Sequence, residues 1–176
     1  SGGARGGKSL VGAMELLPIL LTPGTQSWIV APRYDQAKEM DYLRQFFELP
    51  EMEFYFKRLK TFTFNPKNGD CRIVLRWSDP GDSHRLPDSW VQVKSSMVED
   101  SLLGEELDMV VVSEASRIHE RIWTEYLLQR LTTRKGVAFF PSTPRGLGNW
   151  YGKLVLLGQD PAEVEGKRTE SLMVTS

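Results

Sequence analysis

The chain has a single cysteine, Cys71, among 176 residues, which excludes an internal disulfide and suits a reducing cytosol. It has almost no excess charge. With 22 Lys and Arg against 23 Asp and Glu the formal net charge is −1, which excludes a wholly basic nucleic-acid coat and leaves only regional contacts with a polyanion. No apolar run approaches the ~20 residues that span a bilayer, so residence in a membrane is not expected. There is no internal repeat, and neither disorder nor a fibrous pattern is indicated. What is present, 40% hydrophobic and 26% charged residues, is the composition of one globular domain with a sizeable core.

The chain opens on Ser1-Gly2-Gly3-Ala4-Arg5-Gly6-Gly7-Lys8-Ser9, a phosphate-gripping pattern of the form GxxxxGK[ST] that runs directly into an apolar helical repeat. The glycines let successive backbone N–H groups turn toward an anion, and the helix that begins at Lys8 points its positive end at the phosphates. Lys8 is expected to reach the β- and γ-phosphates of a nucleoside triphosphate, and the Ser9 hydroxyl to ligate the Mg²⁺ that bridges them. Gly2, Gly3, Ala4, Arg5, Gly6, Gly7, Lys8 and Ser9 are thus the candidate nucleotide-binding residues. The alternative is a flexible glycine-rich terminus. A phosphate loop normally sits between a strand and a helix, yet only Ser1 precedes this one and no initiator Met is present. The sequence therefore predicts a chain cut just after its first, central strand, and marginal stability for the piece.

Leu10, Val11, Met14, Leu17, Leu20 and Leu21 recur at helical spacing until Thr22-Pro23-Gly24, which predicts a helix over 8–21. A short buried strand follows at 27–31, then a helix over 34–48. From Phe54 to Trp77 aromatic and polar residues alternate, which predicts a β-hairpin with strands near 59–64 and 71–77 around Asn65-Pro66-Lys67-Asn68-Gly69-Asp70. A loop at 78–88 leads to a strand at 90–95. The β-branched run Met109-Val110-Val111-Val112 fits a strand buried on both faces of a parallel sheet. Helical period resumes over 120–131, a strand is expected at 137–140, and a short helix carries Trp150, Tyr151, Leu154, Val155 and Leu157. Loop, helix, strand, helix is the rhythm of an α/β fold. The expected organisation is one domain over 1–158, truncated at its start, with a linker and the start of a further strand over 159–176 leading to an absent C-terminal region.

Hydrolysis needs a group that orients and deprotonates water at the γ-phosphate. Glu114, just past the 109–112 strand at the sheet edge where ligands bind, is the candidate; its alternative is a cap on the following segment. Ser113 stands where such enzymes usually carry an Asp that steadies the Mg²⁺ shell. A hydroxyl there is expected to act on the metal only indirectly, at a loss of ~1–2 kcal/mol. Asp108, at the other end of the strand, is too far to substitute. Ser142 and Thr143, after the next strand, are candidates for sensing the γ-phosphate and passing the change onward, or form a plain polar turn. Arg5 either stabilises γ-phosphate charge in cis, or pairs with a carboxylate as a nucleotide-state switch, or is solvated. Arg117, Arg121, Arg130, Arg134 and Arg145 follow the catalytic strand as candidate fingers toward a neighbouring subunit's nucleotide. Lys57, Arg58, Lys60, Lys67, Arg72 and Arg76 face one acid, Asp70, across 56–77, as phosphate contacts or as the solvated face of the hairpin.

The segments GGARGGKS at 2–9, LDMVVVSEAS at 107–116 and FFPSTPRGLGNWYGKL at 139–154 together resemble the ATPase domain of the large terminase subunit of tailed bacteriophages. Trp28-Ile29-Val30-Ala31-Pro32 with Tyr34-Asp35-Gln36-Ala37 is similar to that family's second strand and helix. The likeness covers most of residues 1–157. It implies a P-loop NTPase fold, a mostly parallel sheet flanked by helices with an inserted β-hairpin. It further implies ATP hydrolysis with Mg²⁺, driving double-stranded DNA into a prohead. Lys8 and Ser9 would form the first motif, Ser113 and Glu114 the second, and Ser142 and Thr143 the coupling motif. Implied partners are DNA, a portal protein, a small terminase subunit and copies of the chain in a ring. The implied setting is the host cytoplasm, transiently on the prohead and not in the mature virion. The family's adenine-contacting segment and nuclease domain are absent from this sequence, so the chain by itself is not expected to cleave DNA. A helicase-like ATPase and a nucleotide-binding switch with little turnover are the alternatives.

Overall fold

A computed structural model describes residues 6–143, 145–146 and 148–159. Gly2, Gly3, Ala4 and Arg5, and the strand expected near the end of the tail, lie outside these residues. The described strands are β1 (Gln26–Ala31), β2 (Leu59–Asn65), β3 (Asp70–Leu75), β4 (Ser89–Ser95), β5 (Met109–Val112) and β6 (Val137–Phe139). They form one sheet in the order β2-β3-β4-β1-β5-β6. β4, β1, β5 and β6 run parallel, and the hairpin β2–β3 joins β4 antiparallel. The sheet thus has the expected parallel half and inserted hairpin.

The alternation of side chains along each strand divides the core into two layers. Ile29, Ala31, Ile73, Val91, Val93, Met109 and Val111 face α1 (Gly6–Leu20) and α2 (Glu39–Phe47), whose Ala13, Leu16, Leu20, Met40, Leu43 and Phe47 close over them. Trp28, Val30, Val110 and Val112 face the other way, against Ile122, Leu127, Leu131, Tyr151 and Val155. All four side chains of β5 are buried, as a central parallel strand requires. At about 1.5–3 kcal/mol per buried large apolar side chain, this strand is a principal source of cohesion.

Three local expectations are corrected. The single helix expected over 34–48 is a 3₁₀ turn at Tyr34–Gln36, then a break, then α2. Ala37, at φ −77° and ψ 69°, leaves the helical region there. The stretch from Phe54 does not start extended: a helical turn, α3 (Glu53–Phe56), precedes β2. The helix expected over 120–131 is π-helical through its middle, at Ile122–Leu127, and α-helical after it in α4 (Leu128–Thr132). The last helix, α5, spans Trp150–Gln159.

The hairpin's cations are largely engaged within the domain. Lys57 pairs with Glu53 and Lys60 with Asp88, while Arg58 stacks on Phe54 and Arg72 on Trp90. At the turn, Asn65 and Asn68 accept the N–H groups of Lys67 and Asp70 through their side-chain oxygens.

β6 begins in a tight passage. The Gly136 N–H donates to the Leu131 carbonyl and the Val137 N–H to the Asp108 carbonyl. A Cβ on Gly136 would lie 2.3 Å from the Leu107 carbonyl oxygen and 2.9 Å from that of Asp108. Because both obstacles are backbone, Gly136→Ala has to push β6 away from β5. The expected outcome is a destabilisation of ~3 kcal/mol or more, read as a lowered urea midpoint; an unchanged midpoint contradicts the close passage.

Candidate functional site

α1 runs against the direction of the parallel strands, and its ends identify which sheet edge its first turn serves. Near its end, the Leu20 carbonyl accepts the Ser89 hydroxyl at 2.6 Å, at the start of β4. Nearer its start, Gly12 passes so close to the other edge that a Cβ there would meet Pro141 at 3.2 Å, Glu39 at 3.3 Å and Val111 at 3.4 Å. Lys8 and Ser9 lie one turn beyond Gly12, at the carboxyl ends of β5 and β6, and Ser9 shares Gly12's face of the helix at the i, i+3 spacing. The helix already includes Gly6 of the glycine-rich segment, two residues before the expected start.

At the end of β5 the two residues of the candidate second motif diverge. Ser113 is buried and donates its hydroxyl to Glu39 Oε1 at 2.5 Å. Glu114 turns out of the sheet in the left-handed region, φ 54° and ψ 40°, a conformation that costs a non-glycine residue about 1–2 kcal/mol. Its carboxylate is half exposed and lies 3.6 Å from the Arg117 guanidinium. Strain of this kind concentrates where a side chain must be aimed rather than packed.

The end of β6 is tied to the segment that follows Glu114. The Ser142 hydroxyl accepts the Ser116 N–H at 3.2 Å, while Thr143 is exposed. α5 straps both pieces together: Trp150 Nε1 donates to the Ile118 carbonyl at 2.8 Å, and the Tyr151 hydroxyl donates to the carbonyls of Ser142 at 3.1 Å and Phe140 at 3.2 Å. Burial pushes the Tyr151 phenol above its ordinary value, which keeps it a donor.

Of the arginines that follow β5 in sequence, one stays at this edge and two are engaged elsewhere. Arg117 is at Glu114, Arg121 pairs with Glu99, and Arg134 pairs with Asp108 at 3.2 Å. Asp108 also accepts the Gln26 N–H at 2.8 Å, at the amino ends of β1 and β5. It is structural, and remote from the site as its place in the strand required.

The residue that sequence reasoning missed is Glu39. It is the first residue of α2, fully buried, and its Oε2 is without a hydrogen-bond partner. Desolvation, with a smaller push from the Glu114 charge, raises its carboxyl from 4.5 to about 7 against the Ser113 hydrogen bond, which lowers it. A signal was available: Glu39 lies four residues before Leu43 on the buried stripe of α2, where an apolar side chain belongs.

Among the described residues no group of three or more His, Cys, Asp and Glu side chains could hold a metal ion by itself. Mg²⁺ does not need one, since it is commonly held by one or two protein oxygens together with phosphates. The hydroxyls of Ser9 and Ser113 and the unpartnered Glu39 oxygen are hard donors of the right kind, so the residues present fit that ion.

A carboxyl whose pKa is higher folded than unfolded contributes most to stability below its unfolded value, and the contribution is lost as pH rises through the folded value. Without nucleotide, Glu39 is therefore expected to weaken the fold between pH 4.5 and about 7, by about 3 kcal/mol at the alkaline end. Glu39→Gln should remove that part of the pH dependence and raise the melting temperature at pH 8. Parallel melting curves of the two proteins from pH 5 to 8 check this.

No family model matches the chain. The large terminase subunits of Thermus phage G20c and Thermus virus P23-45 are each 32% identical to it over 168 residues, covering 89% of this chain and 32% of the relative. The chain thus spans about a third of the length of the curated relatives it matches. Among solved structures, the large terminase ATPase domain of Thermus phage P74-26 superposes with a TM-score of 0.71 at 29% identity, over 88% of this chain and 62% of that one. The large terminase of another thermophilic bacteriophage, at 12% identity and a TM-score of 0.66 over 96% of this chain and 38% of that one, shares the fold; it has also been solved in complex with ADP. Over nearly its whole length the chain is thus similar to the phage large terminase subunits, in the part that corresponds to their ATPase domain.

Proposed function

We propose that this chain is the ATP-hydrolysing part of a motor that drives double-stranded DNA into a viral prohead. The observation that carries the reading is the meeting of three segments at one sheet edge: the first turn of α1 with Lys8 and Ser9, the end of β5 with Ser113 and Glu114, and the end of β6 with Ser142. In this reading Lys8 holds the β- and γ-phosphates and Glu114 orients the attacking water and takes its proton. Mg²⁺, when bound with the nucleotide, neutralises charge on the phosphates. Arg5, inside the glycine-rich loop, is placed by the sequence to act on the γ-phosphate in cis. Ser142 passes a change at the γ-phosphate to the turn after Glu114 through the Ser116 N–H, and α5 carries it onward. DNA, a portal protein, a small terminase subunit and further copies of the chain in a ring are the partners that such a motor requires.

The contact between Glu114 and Arg117 favours a second reading. A base held by a cation is a poor proton acceptor, and a nucleotide-binding switch with little turnover would need none. Phosphate release by the full-length parent protein, with Mg²⁺, DNA and portals, separates the two. The motor reading expects turnover that falls at least ~100-fold in Glu114→Gln while nucleotide binding persists, and a loss of binding in Lys8→Ala. Tight nucleotide binding with no turnover in the parent leaves the switch as the function.

A further inference from the structure

The carboxylate beside the phosphate loop is not where the sequence motif would put it. Position 113 carries a hydroxyl, and that hydroxyl is spent on Glu39, which arrives from α2 across the face of α1. Gly12 leaves room for it: the Glu39 Cγ lies 3.3 Å from the point a Cβ on Gly12 would occupy, so even alanine would crowd the acid. Ser9 sits on the same helical face one turn nearer the candidate phosphate site.

Glu39 is poorly explained as a packing residue. It is fully buried, has no ion-pair partner among the described residues, and leaves Oε2 without a donor. An isolated buried carboxyl of this kind costs free energy that an apolar side chain at the same position would not. The Ser113 hydroxyl from β5 reaches it directly, and Pro141 and Val111 crowd the same point beside Gly12 that its Cγ does. The nearby charge of Glu114 is also negative. The Ser113 hydroxyl and Glu39's own backbone N–H offset its charge only in part, no cation is paired with it among the described residues, and a divalent cation delivered with a nucleotide would supply one.

We propose that Glu39 supplies the acidic group of the metal–nucleotide site, and that Ser113 is its positioning residue, the two together doing what an acid at position 113 would do alone. This inference rests on the nucleotide-binding reading above. Glu39 acts on the ion through its shell, so its loss should weaken the metal's contribution rather than the grip on the phosphates.

The test is equilibrium binding of ADP to the full-length parent protein with and without Mg²⁺, and Mn²⁺ titration followed by electron paramagnetic resonance. In the parent, Mg²⁺ should strengthen ADP binding. Glu39→Gln should cut that strengthening about tenfold, within the range for residues that orient a metal's ligands, and leave the metal-free affinity unchanged. The double variant E39Q/S113D, which returns the acid to β5, should restore it. Ser113→Ala keeps the acid but frees it from its donor, and should give a smaller loss of the Mg²⁺ effect; this variant also decides the matter if Glu39→Gln fails to fold. A Mg²⁺ effect unchanged in Glu39→Gln, or unchanged in Ser113→Ala where only that variant folds, overturns the proposal and leaves the nucleotide reading standing. So does an equal loss with and without metal. ADP binding by none of the proteins, the parent included, overturns both.

Discussion

Everything at the candidate site depends on β5 being held, fully buried, between β1 and β6. Its pairing with Trp28, Ile29 and Val30 on one side and with Val137, Ala138 and Phe139 on the other fixes the height at which the strand ends. Because side chains alternate, the register also fixes which layer each one enters. Met109 and Val111 go to the α1 face, and continuing the alternation sends Ser113 the same way, under α1 and against Glu39. A slip of one residue would send Ser113 to the layer of Tyr151 and Val155 instead. The apolar run is therefore both the cohesion of the sheet and the ruler that places the polar residues at its edge.

The opposite edge is clamped separately. Asp108 joins the Gln26 N–H to Arg134, and Ser89 joins Leu20 to the Trp77 indole. These contacts anchor the amino ends of β1, β4 and β5, so movement at the site meets a fixed base. On the working side the connections are a few hydrogen bonds among the loops and the first turn of α5: Ser142 to Ser116, Trp150 to Ile118, Tyr151 to Phe140 and Ser142. Such bonds can exchange partners at a modest net cost, about 1 kcal/mol each, which suits segments that must respond to a ligand.

Much of this was legible in the sequence because it rests on local pattern. The run at 109–112, the hairpin around Asn65 to Asp70 and the helix after the glycine-rich loop have unmistakable periods, and they appear within a residue or two of the expected bounds. The break at Ala37 was not legible, because nothing in Tyr34 to Phe47 forbids one continuous helix; α2 starts at Glu39 where tertiary packing draws that side chain under α1. The π-helical turn at Ile122–Leu127 was hidden for a related reason, since apolar spacing is the same to within one residue whether the helix is wide or narrow. Among the arginines after β5, which read as a cluster in one dimension, Arg117 stays beside Glu114 while Arg121 and Arg134 pair elsewhere. The bond between Ser113 and Glu39 joins positions 74 residues apart, and no local pattern encodes it.

The left-handed backbone at Glu114 has a consequence for how this chain can change over generations. Glycine would relax that turn at no steric cost, so selection for folding alone favours losing the carboxylate. Selection for hydrolysis, on the function proposed, favours keeping it. The two pull against each other at one codon, and a lineage propagated only for a heat-resistant fold would drift toward an inert protein there first. The position is a place where the molecule's history of use is written against its own stability.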